Sequence, residues 1–277
     1  MRTFTQVDVF TDRLMRGNPV AVVHDADGLS DATMAAFARW TNLSETTFLL
    51  APTQERADYR LRIFTPGGEL PFAGHPTLGS ARAWLEAGNT PRQPGFLVQE
   101  CAAGLIDIRQ EEGQLAFAAP PLTKDDPVEA ALLDRITSAL GINPEAVRDA
   151  QWIDNGPGWI GVLLASGDDV LALEPDFSAM GDLAVGVTGL DASTDDEIVT
   201  FVTRAFAPGH GVDEDPVTGS LNAGLARWLM PKGIVPERYR VRQGSRVGRD
   251  GVIHIHRDGE IWIGGDTVVG ISGTVNL

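Results

Sequence analysis

The chain has a single cysteine, Cys101, in 277 residues, which rules out an intramolecular disulfide and any metal site built from clustered cysteines. By itself Cys101 reads as a small buried hydrophobe. No apolar run approaches the roughly 18 residues that span a bilayer. The first residues, MRTFTQVDVF, alternate like a strand where a signal segment would be basic and then apolar. The chain is therefore expected to be cytoplasmic and to have no membrane partner. Basic residues are also scarce. Lys and Arg number 22 against 38 Asp and Glu, and the resulting charge of -16 repels phosphate backbones. Nucleic acid is not an expected partner.

Hydrophobic residues make up 43% of the chain, enough for one large or two medium domains with real cores. Short alternating runs bounded by Gly and Pro predict strands: FTQVDVF, PVAVV, TTFLLAP, YRLRIFT, FLVQE, LIDIRQ and QLAFAAP in the first half. WIGVLLA, IVTFVTRAF, YRVRQ, VIHIH, EIWIGG and TVVGISGTV continue the pattern in the second. Helices are few. Two are expected at about residues 30–41 and 127–140, capped by Ser30 and Asp126. This mixture predicts an α+β fold.

The two halves repeat each other. RIFTPGGELPFAGHPTLGSARAWLEAG, residues 62–88, is echoed by RAFAPGHGVDEDPVTGSLNAGLARWLMPKG, residues 204–233. Each has R-x-F-x-P-G, a turn, then Pro-x-x-Gly-Ser and a helical pattern. His75 in the first copy matches Asp215 in the second, 140 positions apart. Pro76 and Pro216 suit the first position of a helix. Leu221, Leu225, Trp228 and Leu229 then form one apolar face, with Gly88 and Gly233 as stops. Helix starts leave free N–H groups and a partial positive charge, which suits a carboxylate, and Gly74, Gly79 and Gly219 would let a ligand approach the backbone. Two domains are expected, 1–120 and 121–277, with the last strand packing back on the first.

NLSETTFLL, residues 42–50, sets one carboxylate, Glu45, among hydroxyls and large apolar side chains. It is either a strand residue on a wet face or a half-desolvated proton carrier. In VIHIHR, His254 and His256 share a strand face without a third ligand nearby, so no metal is expected there. DEDP lacks the spacing of a calcium loop. His210 borders the same turn and carries no assignment.

GNPVAVV, NLSETTF, RIFTPGGELPFAGHPTLG and DEDPVTGS, in that order over nearly the whole chain, resemble the PhzF family of phenazine-biosynthesis isomerases. The resemblance implies the fold of diaminopimelate epimerase: two similar domains, each a curved antiparallel, barrel-like sheet rolled around a central α-helix, with the site in the cleft between them. It implies a homodimer that uses no cofactor, and the residues themselves give no reason to expect a metal. By the same resemblance Glu45 is the proton donor and acceptor, His75 is the histidine of the family's A-G-H-P block, and Asp215 and Ser220 line the site and bind substrate. With the helix-start glycines added, the expected catalytic set is Glu45, His75 and Asp215, and the expected substrate contacts are Gly74, Gly219 and Ser220.

The type reaction of the family moves a proton along one face of dihydro-hydroxyanthranilate, a small cyclic carboxylate. Two-base racemases of this fold use a pair of cysteines, which a chain with one cysteine cannot supply. A same-face shift needs only one group, and Glu45 has no obvious counterpart in the second half. Burial beside Leu43 and Phe48 is expected to raise its pKa, with Ser44, Thr46 and Thr47 orienting it. His75 is expected to hydrogen-bond substrate or relay a proton. Asp215 is expected to cap its helix, contact a substrate amino group, or do both. The alternatives are an epimerase or racemase of an amino or hydroxy acid, which needs a second acid/base group from His75 or Asp215, and a non-catalytic binder of small carboxylates.

Overall fold

A computed structural model of the chain describes residues 1–111, 113–192 and 198–277. It divides into two compact units, 1–118 with 264–277, and 119–263. The first unit opens with β1 (Arg2–Val9), β2 (Asn18–Val23), α1 (Asp31–Thr41), β3 (Glu45–Leu50) and β4 (Tyr59–Thr65). β5 (Gly68–Leu70), α2 (Gly74–Glu86), β6 (Phe96–Cys101), β7 (Gly104–Glu111) and β8 (Gln114–Ala118) follow. The second unit contains α3 (Ala130–Leu140), β9 (Asp149–Trp152), β10 (Trp159–Leu163), α4 (Gly167–Leu171), α5 (Phe177–Met180), β11 (Ala184–Leu190) and β12 (Thr200–Ala207). β13 (Val212–Asp215), α6 (Gly219–Leu229), β14 (Arg238–Gln243) and β15 (Gly251–Asp258) come next, and β16 (Glu260–Gly265) precedes β17 (Thr267–Val275). β17 belongs to the first unit and pairs antiparallel with β1 from Arg2↔Val275 to Val9↔Thr267. No helix among the described residues is long and apolar enough to cross a membrane.

The sequence repeat is also a repeat of pairing. β2 runs parallel to β3, β3 antiparallel to β4, β4 antiparallel to β5 and parallel to β6. In the second unit β10, β11, β12, β13 and β14 pair in the same order and the same senses. The sheets are mixed because a parallel pair needs a crossover, and each parallel pair is joined through helix: α1, α2, α4 with α5, and α6.

Each unit holds one nearly engulfed helix. α2 packs against strands β1, β2, β3, β8 and β17 of its unit. α6 buries nine of its eleven residues, including the apolar face expected from its spacing. Missing side chains permit the close approach. A Cβ on Gly79 would lie 2.2 Å from a Val20 methyl, so this glycine serves helix–sheet packing and not a ligand. In the second unit a Cβ on Gly186 would lie 2.1 Å from Leu221.

The R-x-F halves of the repeat have a structural cause. Arg62 grips Glu69 with two hydrogen bonds of 2.7 and 2.6 Å, and its guanidinium lies over Phe64. Arg204 holds Glu214 at 3.0 and 2.8 Å and lies over Phe206. In both, the Glu stands opposite the Phe across an antiparallel hairpin.

Ser30 caps α1 as expected, accepting from Thr33 N–H at 3.2 Å. α3 starts later than expected, at Ala130. The Asp126 carbonyl accepts from Trp152 N–H and Pro127 bridges to Gln151, which hold that stretch extended. Pro76 is the third residue of α2, and Pro216 precedes the Thr218 N-cap of α6, so neither takes the first helical position.

Candidate functional site

Glu45 is the first residue of β3, and its neighbour Thr47 points to the same face of the strand. That face looks at α2, since the Thr47 hydroxyl bonds the Ser80 hydroxyl at 2.8 Å. Five residues earlier on the helix sits His75, whose Nε2 lies 3.3 Å from Glu45 Oε2. The ring is almost completely buried and the carboxyl is mostly so, at 6% and 15% exposure. Thr46 bonds Thr41 at 2.7 Å, while Thr47 reaches the Ala21 carbonyl as well as Ser80.

The tautomer of His75 follows from its partners. The ring is hydrogen-bonded to the backbone of Pro19, which has no N–H and so offers only a carbonyl. Nε2 makes no such bond, so Nδ1–H is the donor and Nε2 carries the lone pair toward Glu45. Burial pushes the His75 pKa down to about 3, even though the Pro19 bond acts the other way. The ring is therefore neutral near pH 7.

This depression links stability to pH. An unfolded His75 protonates near its ordinary 6.5 while the folded ring waits until about 3, so folding holds fewer protons between those values. Stability is full above about 6.5 and is lost as pH falls toward 3, at up to about 1.4 kcal/mol per pH unit from this group. Urea unfolding at pH 6.5 and 4.5 should show a smaller pH-dependent loss in His75→Gln than in wild type.

Asp215, Gly219 and Ser220 lie in the second unit, around the start of α6. Asp215 is the last residue of β13 and does not cap the helix. Thr218 is the N-cap, and its hydroxyl bonds Asp215 Oδ2 at 2.5 Å. Ser220 Oγ accepts from the Trp159 indole at 3.0 Å, and its carbonyl accepts from Asn155 Nδ2 at 2.8 Å. Gly74 and Gly219 are the buried first residues of α2 and α6, and neither helix has a side-chain cap hydrogen bond.

Strand register shows which residue of the second repeat is equivalent to Glu45. Thr46 pairs with Phe64 in one unit and Val185 with Phe206 in the other, so Glu45 corresponds to Ala184. Each begins the second strand of the repeated pairing. The carboxyl is not duplicated, and its counterpart cannot carry a proton. Sequence inspection missed Pro19, Trp159, Asn155 and Gln243 at these sites. A proline carbonyl and a tryptophan N–H leave no motif, and only proximity reveals them.

Among the described residues no cluster of three or more His, Cys, Asp or Glu side chains is placed to hold a metal ion. The family model described as phenazine biosynthesis-like protein matches residues 7–274. The chain is 36% identical to "Antisense-enhancing sequence 1" of Schizosaccharomyces pombe, covering 98% of this chain and 97% of that one. It is 33% identical to trans-2,3-dihydro-3-hydroxyanthranilate isomerase of Pseudomonas fluorescens, over 94% and 91% of the two chains. A PhzF-family crystal structure from Enterococcus faecalis superposes with a TM-score of 0.82 at 27% identity, covering 100% of this chain and 99% of that one.

Proposed function

This chain belongs to the PhzC-PhzF phenazine biosynthesis-like family and is an isomerase-type enzyme, and from that premise we propose that it moves one proton along one face of a small cyclic carboxylate. Glu45 is the only acid/base group of the reaction, and no cofactor takes part. The substrate resembles dihydro-hydroxyanthranilate, which the Pseudomonas relative is named for. The resemblance assigns Asp215 and Ser220 to substrate binding, with Gly219 beside them at the helix start, and a homodimer to the assembly.

One observation carries this reading: the 3.3 Å approach of a neutral His75 Nε2 to Glu45 Oε2. In the first half of the reaction the carboxylate takes a proton from a ring carbon and becomes a carboxylic acid. The acid O–H then has an acceptor waiting in Nε2, whose lone pair the Pro19 carbonyl has fixed toward it. An ionised Glu45 facing that lone pair gains nothing from it, so the contact favours the protonated, halfway state. In the second half Glu45 returns the proton to a neighbouring carbon on the same face. Ala184 at the duplicated position supplies no second base for inversion.

The test uses trans-2,3-dihydro-3-hydroxyanthranilate carrying deuterium at the migrating position, in ordinary water. A single carboxyl that takes and returns the same hydrogen leaves part of the label in the product. An epimerase with two bases delivers a solvent hydrogen, so complete washout from the first turnover would refute the single-carrier mechanism.

A further inference from the structure

Resting on the assignment of Asp215 to substrate binding, we propose that Gln243 is a positioning residue for that carboxyl, acting through the Thr218 hydroxyl. Gln243 ends β14 and is 3% exposed. Its Oε1 accepts from Thr218 N–H at 3.1 Å and from Asn222 Nδ2 at 3.0 Å. Its Nε2 donates to the Asp215 carbonyl at 3.0 Å and to Thr218 Oγ1 at 2.8 Å. The backbone fixes which end of this amide is oxygen, because an N–H can only donate and a carbonyl can only accept.

The consequence passes to Thr218. Its oxygen already receives a proton from Gln243, so its own proton goes to Asp215 Oδ2, 2.5 Å away. Asn222, Gln243 and Thr218 thus donate in one direction, and the series ends on the carboxylate. Asp215 is held in one orientation as an acceptor, ready for an N–H or O–H donor on the substrate.

If this series served only to start a helix, the other repeat would need it too. With Phe64 matched to Phe206, Tyr59 matches Phe201, and their partners Gln99 and Val241 match in turn. Cys101 therefore stands where Gln243 does, and the sequence repeat puts Leu78 and Arg82 at the places of Thr218 and Asn222. The first unit does send an amide to its helix, from Gln99 to Thr77 at 3.0 Å. The other end of that amide meets the Tyr59 hydroxyl and no carboxylate. The donor series ending on an acid is therefore particular to the second unit.

Three variants test the proposal. Thr218→Val keeps the shape and removes the hydroxyl, and Thr218→Ser keeps the hydroxyl. Gln243→Glu keeps the size but removes both Nε2 donors, so the Thr218 hydroxyl turns toward position 243 and away from Asp215. The first readout is the carboxyl carbon-13 resonance of Asp215, assigned by its loss in Asp215→Asn. The second is kcat/KM on trans-2,3-dihydro-3-hydroxyanthranilate. Thr218→Val and Gln243→Glu should move the resonance and lower kcat/KM by about 10–100-fold, mainly through KM, the range for one hydrogen bond to a charged group. Thr218→Ser should preserve both readouts, and Gln243→Glu should add nothing in an Asp215→Asn background. Should Gln243→Glu fail to fold, the two Thr218 variants decide. An unmoved resonance in folded Thr218→Val overturns the proposal whatever substrate the enzyme takes. Wild-type turnover by Asp215→Asn would overturn the underlying site assignment instead, so the two failures are told apart.

Discussion

Glu45→Gln is expected to lower kcat by about 10²–10⁴-fold, the usual contribution of one positioned acid/base group, while leaving KM and the folded state nearly unchanged. Glutamine fills the same volume at the start of β3, and its side-chain N–H can donate to the His75 nitrogen that the carboxyl now faces. Packing and the local hydrogen bond survive, and the exchangeable proton does not. A large loss is expected because the duplicated position is Ala184, so no second carboxyl stands in for the first. Steady-state kinetics on trans-2,3-dihydro-3-hydroxyanthranilate, with circular dichroism as the folding control, would measure it. Retention of more than about a tenth of the wild-type rate would show that the proton travels by another group.

The second large effect concerns stability and exploits the repeat as an internal control. Arg204→Ala is expected to destabilise the protein by about 3–5 kcal/mol, the cost of stranding one partner of a buried ion pair. Arg62→Ala, which removes the same residue from the same motif, is expected to cost about 0–1 kcal/mol. The difference is solvent. Arg204 and Glu214 are 5% and 7% exposed, whereas Arg62 and Glu69 are 23% and 37% exposed. Arg204 also closes the Leu173 carbonyl at 2.7 Å, which would be left without that donor. Arg62, in turn, shares its charge with the well-exposed Asp31. Urea unfolding of the two variants side by side measures the gap, and equal midpoints would refute the argument from burial.

Much of this architecture could be read from the sequence, for identifiable reasons. Strand alternation marked β4, β6, β8, β14 and β15, where buried and more open positions alternate. β2, β3, β10 and β12 are buried on both faces and were marked by their apolar, β-branched composition, and most of the runs that went unread were short. β11 buries six of its seven residues and shows no alternation, and α4 and α5 have five and four residues, too few for a helical period. The repeat was legible because helix starts and an Arg–Phe strand pair constrain sequence strongly. Its cause was not, since Glu69 and Glu214 lie at different distances after their Pro-Gly turns. At the candidate site, Glu45 and His75 were legible only as members of recognisable blocks. Nothing in their spacing of 30 residues announces that a strand start and a helix start bring them within 3.3 Å. The contacts of Pro19, Trp159 and Asn155 at these sites run through a backbone carbonyl, an indole N–H and a single amide, groups that any sequence supplies.

The pairing of β17 with β1 carries a consequence for how the chain comes to be folded during synthesis. The strand that completes the first unit emerges from the ribosome some 150 residues after the rest of that unit, once residues 119–263 have already appeared. Until then one flank of β1 waits without its neighbour, the circumstance in which exposed strand edges invite association with other chains. Nascent chains halted before residue 267 should therefore hold the second unit in a protease-resistant form and leave the first one susceptible, an order opposite to that in which the two are translated.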